Sequence, residues 1–132
     1  LYVTSPSGFA SRLGALWEFT GRDDPAMGHV RSPPSIAGFQ VGTSGGNPVI
    51  RYFVVVSSGL NNYTVDGGDN AARGALFLLS LDKRPSDPWK AGVNYYKLVT
   101  PVSDPGIPNA LAPPALALAP DGIVRFAYAG DL

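Results

Sequence analysis

Val49-Ile50-Arg51-Tyr52-Phe53-Val54-Val55-Val56-Ser57 is the stretch on which the fold turns. β-Branched and aromatic side chains follow one another with little polar interruption, and such residues pack best on an extended, pleated backbone. A strand apolar at successive positions, not only at alternate ones, is predicted to be buried on both faces. Upstream, residues 42–48 are rich in glycine and polar residues and read as a hairpin loop, and before them residues 35–41 read as a strand entered through the rigid pair Pro33-Pro34. Downstream, residues 59–73 carry Asn61, Asn62, Asp66, Asp69 and Asn70 and are expected to form a long polar loop. Residues 74–82 are the next apolar strand and residues 95–100 the one after it. Further out, residues 14–20 read as a half-buried strand with Trp17 and Phe19 on one face. The last third gives a strand behind Pro113-Pro114 at residues 115–119, a turn at Pro120-Asp121-Gly122 and a strand over residues 123–129.

The composition agrees with many short strands. Of 132 residues, 16 are Gly and 13 Pro, and only 15% are charged against 45% hydrophobic, which suits turns and strands better than long helices. Ten basic residues offset ten acidic ones, so the chain lacks the clustered positive charge that recommends nucleic acid or an anionic membrane as a partner. Cysteine is absent, which excludes disulfides and thiolate metal sites. No apolar run approaches the roughly 20 residues of a membrane-spanning helix. The N-terminal Leu1-Tyr2-Val3-Thr4 has no signal-like character, so the chain is expected to be excised from a larger protein.

The segments recur once in order. Pro33-Pro34 and Pro113-Pro114 lie 80 residues apart, as do Trp17 and Lys97 in the strands that precede them, whereas Phe53 and Phe126 in the strands that follow lie 73 apart. The difference is assigned to the loop at residues 42–48, longer than the turn at residues 120–122. Self-similarity of this kind predicts radial repetition. The expected fold is all-β, a partial β-propeller with about two blades' worth of four-stranded antiparallel sheets. Residues 1–20 would end one blade, residues 32–100 form a complete one, and residues 112–132 start the next. On spacing alone a free-standing β-sandwich fits as well.

Arg125-Phe126-Ala127-Tyr128-Ala129-Gly130-Asp131-Leu132 resembles the Y-A-G-D-L strand of the PilC/PilY-type proteins of type IV pilus biogenesis. Leu16-Trp17-Glu18-Phe19 resembles that family's L-W-E-F strand, Leu1-Tyr2-Val3-Thr4-Ser5-Pro6 its A-L-D-V-T-D-P element, and Val54-Val55-Val56-Ser57-Ser58-Gly59-Leu60-Asn61-Asn62 its V-V-V-x-G-N-G-Y-N strand. Met27-Gly28 with Ser32-Pro33-Pro34, and residues 108–114, resemble two further elements in the family's order. The resemblance implies a quinoprotein-like propeller of a Gram-negative bacterium, extracytoplasmic, at the outer membrane, cell surface or pilus tip. It also implies a noncatalytic module that supports pilus extension, twitching motility and adhesion, with minor pilins and a host surface receptor as partners. The alternative is a structural propeller fragment of an outer-membrane assembly scaffold or of a pyrroloquinoline-quinone-type quinoprotein.

Many members of that family carry a calcium loop before Y-A-G-D, with oxygen ligands at its first, third, fifth and ninth positions. Here those positions are Ala117, Ala119, Asp121 and Arg125. Only Asp121 offers a carboxylate, and Arg125 brings a positive charge, so calcium binding is predicted lost and no cofactor is expected. The second oxygen-rich run at residues 61–70 matches no known ligand spacing and reads as a solvated connector. The lone His29 cannot supply a histidine pair, no G-x-S-x-G elbow occurs, and the glycines of residues 42–46 are not followed by Lys, so no catalytic group is assigned. Trp89, in Asp87-Pro88-Trp89-Lys90, is the candidate for an exposed binding surface. Open strand edges are expected to promote self-association.

Overall fold

The computed structural model describes residues 16–60, 73–101 and 110–130. The described chain is all-β apart from one 3-10 turn at Pro25–Met27. Strands β1 (Ser35–Ser44), β2 (Asn47–Ser57), β3 (Ala75–Ser80) and β4 (Tyr95–Val99) form one antiparallel sheet in the order β1-β2-β3-β4. Strands β5 (Ala115–Leu118) and β6 (Val124–Tyr128) form a second, two-stranded antiparallel sheet. Among the described residues no helix is long and apolar enough to cross a membrane.

The β1–β2 hairpin corrects the expected loop at residues 42–48. Ser44 pairs with Asn47, and the turn is only Gly45-Gly46, with φ of 57° and 80°. Two successive left-handed residues make a type I′ turn, whose twist matches the flanking strands and which glycine adopts without steric cost. The longer first hairpin therefore comes from longer strands, with an irregularity between Gln40 and Gly42. β2 is also not buried along its whole length. It is buried from Phe53 to Ser57, apart from half-buried Val54, where β3 pairs with it, and largely exposed before that, where the hairpin runs past the end of β3.

The sequence repeat holds in the hydrogen-bonded register. Ser35↔Val55, Ile36↔Val54 and Ala37↔Phe53 in the first hairpin are matched by Ala115↔Tyr128, Leu116↔Ala127 and Ala117↔Phe126 in the second. After a one-residue irregularity, Gly38↔Tyr52 is matched by Leu118↔Val124. β5–β6 is thus a second copy of the β1–β2 hairpin, shortened at its tip by the Pro120-Asp121-Gly122 turn.

Both faces of the four-stranded sheet are covered. On one, Val56, Phe77, Leu79 and Tyr95 pack with Ala26 and Met27 and beneath Trp17 and Phe19. On the other, Ala37, Val55 and Leu76 pack with Val124 and Leu116 of the second sheet. Each fully buried large side chain here is worth about 1.5–3 kcal/mol. Residues 16–20 differ from their sequence reading: they form no strand among the described residues, although Trp17 and Phe19 do share the core-facing side. Their backbone bends at once into a turn, where the N–H groups of Asp23 and Asp24 donate to Thr20 O at 2.9 and 3.2 Å. Rings, not a ladder, hold this segment, with Phe19 lying 5.6 Å from Phe77 and 5.1 Å from Tyr95.

Three buried polar joints complete the frame. Asp24 caps the 3-10 turn by accepting from Ala26 N–H at 3.0 Å, as an Asp before Pro at the first turn is suited to do. The same carboxylate accepts from the Tyr95 hydroxyl at 3.1 Å and Lys97 Nζ at 3.0 Å, tying the N-terminal segment to β4. At Gly59 the chains come so close that a Cβ would overlap the His29 carbonyl; Gly59 N–H donates to Met27 O at 2.8 Å, and His29 forms an antiparallel bridge with Leu60. Between the sheets, Ser57 Oγ donates to Ala112 O at 2.9 Å and Leu111 N–H to Ser58 O at 3.2 Å. Buried hydroxyls are tolerated because they are paired in this way.

Burial, together with the nearby Asp24 carboxylate, pushes the Tyr95 hydroxyl up from 10.0 to about 12. The folded state therefore holds this proton more tightly than the unfolded state, so the associated stability is complete below pH 10 and is lost as pH rises toward 12. In an ultraviolet titration of the six tyrosines, one is expected to ionise last, near the point of alkaline unfolding, and Tyr95→Phe should remove that component. Ionisation of all six at ordinary values in the folded protein would contradict the buried Tyr95–Asp24 contact.

Candidate functional site

The residues carried over as a calcium loop fall on the second hairpin. Ala117 lies in β5 opposite Phe126, Ala119 opens the turn, Asp121 occupies its centre, and Arg125 lies in β6. The turn closes through Gly122 N–H to Ala119 O at 2.9 Å, with Gly122 at φ 77°, a type I turn followed by a left-handed residue. Both oxygens of Asp121 are engaged from within the hairpin. Oδ1 accepts from Ile123 N–H at 3.0 Å, and Oδ2 meets Arg125 Nη2 at 3.1 Å. Arg125 also donates to Gln40 Oε1 at 3.4 Å, reaching the middle of β1. The guanidinium supplies positive charge next to the one carboxylate of the loop. The pair is exposed and contributes at most about 1 kcal/mol, so its importance lies in occupying Asp121, not in stabilising the fold.

An open groove of about 590 Å³ runs between the first hairpin and β6, lined by Phe39, Gln40, Val41, Thr43, Val124 and Arg125. It is the concavity nearest these residues. Asp82 and Arg51 form a second ion pair, at 2.9 Å through Nη2 and 3.2 Å through Nε. Arg51 Nη2 also donates to Ser80 Oγ at 2.6 Å, and the guanidinium lies 5.4 Å from the Phe53 ring centroid. The hydrogen bond from Arg51 holds the Asp82 carboxyl below the usual carboxylate range, against a smaller opposing effect of burial.

Trp89 is half-buried and its ring is engaged on several sides. Trp17 meets it edge-on at 4.9 Å and Phe19 at 5.0 Å, while Lys83 Nζ stands 4.6 Å from its centroid. The indole N–H donates to Glu18 O at 2.5 Å. In this position the indole fastens the connector before β4 to the N-terminal segment; aromatic pairs of this geometry each add about 0.5–1.5 kcal/mol beyond area burial. Sequence reading missed that role because Trp17 and Trp89 stand 72 positions apart, and only the fold brings them together. The cap at Asp24-Pro25 did carry a local signal, an Asp immediately before a helical-turn proline.

His29 is exposed, and its backbone is what the fold uses. Asn61, Asn62, Asp66, Asp69 and Asn70 lie outside the described residues. Among the described residues no three His, Cys, Asp or Glu side chains gather closely enough to hold a metal ion. Compared with protein-family models, with curated proteins and with solved structures, the chain finds no match.

With Asp121 engaged by Ile123 and Arg125, millimolar calcium is expected to leave the thermal midpoint unchanged relative to a chelator control. A site saturated at about 100 times its dissociation constant would add about 2.7 kcal/mol, enough to raise the midpoint by several degrees. A rise of that size with calcium would contradict the account of this loop.

Proposed function

We propose that the chain is a noncatalytic portion of a β-propeller in a type IV pilus biogenesis and pilus-tip adhesin protein of the PilC/PilY type. The observation that carries this reading is the repeat itself: one four-stranded antiparallel meander, followed by a hairpin that reproduces its first two strands in the same register. A propeller blade is such a meander, and successive blades stack face to face. Covering of the four-stranded sheet on both faces is the packing expected of a blade inside a ring. The family assignment rests on the ordered motifs, of which the Tyr-Ala-Gly-Asp-Leu element begins in β6 and Leu16-Trp17-Glu18-Phe19 provides two core rings.

On this reading the module works at the cell surface or pilus tip of a Gram-negative bacterium, in contact with minor pilins and a host receptor. It needs no cofactor in this segment. The three described aspartate–cation pairs, Asp24–Lys97, Asp82–Arg51 and Asp121–Arg125, serve to hold strands and turns together. Deleting the gene in the bacterium that encodes it is expected to abolish surface pili, twitching and attachment, with recovery on complementation. Unchanged piliation, motility and attachment in the deletion strain would overturn the proposal.

A further inference from the structure

Asp121-Gly122 is the dipeptide of the second hairpin most open to attack by its own backbone. The Gly122 nitrogen can attack Asp121 Cγ and close a five-membered succinimide ring. An N–Cγ bond forms, and the amide hydrogen, one carboxyl oxygen and a proton from solvent leave as water. Water then reopens the ring. Cleavage of the new side-chain amide restores aspartate, whereas cleavage of the main-chain amide gives isoaspartate, in which the backbone runs through Cβ and Cγ and gains one methylene. Glycine in the second position leaves the attacking nitrogen unshielded, and a Cβ built on Gly122 would meet nothing within 4 Å. An added methylene would reach beyond the turn. Ile123 bridges Gly38 of β1, and Val124 packs with Ala37, Val55 and Leu76, so a longer backbone at residue 121 displaces the contacts that join the second sheet to the first.

We infer that Asp121 is a restrained isoaspartate site, and that Arg125 is the positioning residue that keeps its carboxyl from closing onto the Gly122 nitrogen. Closure requires the carboxyl carbon to turn toward that nitrogen and become tetrahedral. In the hairpin both carboxyl oxygens are held, Oδ1 by Ile123 N–H at 3.0 Å and Oδ2 by Arg125 Nη2 at 3.1 Å, and these bonds must break first. The attacking amide is held as well. Gly122 N–H donates to Ala119 O at 2.9 Å, a carbonyl that cannot take up the proton the nitrogen must lose. Of these three partners Arg125 alone acts through its side chain, and so it is the one that substitution can remove. All three bonds lie within one hairpin, so the inference stands whether or not the pilus reading does, and whatever packs against the chain.

Ageing the 132-residue chain at neutral pH and body temperature tests it. Peptide mapping by mass spectrometry with electron-transfer fragmentation distinguishes isoaspartate from aspartate at residue 121, and digestion separates this peptide from the one that carries Asp66-Gly67. Arg125→Ala is expected to accumulate isoaspartate at residue 121 about three- to fivefold faster than the wild type, the factor lost with an exposed ion pair. Arg125→Gln takes its place should the alanine variant lack the wild-type circular dichroism. Gln40→Ala removes the other partner of Arg125, at 3.4 Å, and leaves the pair with Asp121 in place, so it is expected to age at the wild-type rate. Two results would overturn the inference. An Arg125 variant that ages no faster than the wild type would show that the guanidinium restrains nothing, and a Gln40→Ala variant accelerated as much as Arg125→Ala would show that it acts only by tying the hairpin to β1.

Discussion

The pairing of β2 with β3 imposes the constraint from which the rest of the structure follows. Over Phe53–Ser57 and Leu76–Ser80, apolar side chains point to both sides of the sheet: Val56, Phe77 and Leu79 to one, Val55 and Leu76 to the other. An antiparallel sheet with one wet face would leave half of these in water. The chain avoids that by folding its N-terminal segment over one face and its second hairpin over the other. The buried polar joints of the frame fasten those two covers: Asp24 with Tyr95 and Lys97 on the first, Ser57 and Ser58 with residues 111 and 112 on the second.

Much of this was legible because it depends on local rules. The β-branched run of β2, the apolar run of β3 and the proline pairs before β1 and β5 all act within a few residues, and β1, β4 and β5 begin at the residues where the sequence places them. The repeat was legible as spacing, and its register agrees pair by pair. The misreadings have physical causes as well. Glycines at 42, 45 and 46 read as a loop, yet only two of the three lie in the turn, because a type I′ connection needs no more. Residues 16–20 read as a strand from alternation alone, but their rings bind the sheet while their backbone finds no ladder among the described residues.

Chemistry at the surface was less legible than the fold. Trp89 reads as exposed from the polar, proline-containing residues around it, but its environment is set by Trp17, Phe19 and Lys83, which the sequence does not place beside it. That Ala117, Ala119 and Arg125 carry no side-chain oxygen was readable directly. That Arg125 would close on Asp121 follows from their spacing across a three-residue turn, once the turn is known. By strand register the exposed rings Phe126 and Tyr128 are the counterparts of the buried Phe53 and Val55.

The two-faced burial of the central strand pair is tested most directly by native-state hydrogen exchange at the amides of residues 53–57 and 76–79. If both faces are covered as described, these amides exchange only through global unfolding, with protection equal to the full unfolding free energy. Fast exchange at β2 and β3 under native conditions, while the protein remains folded by other probes, would contradict the account.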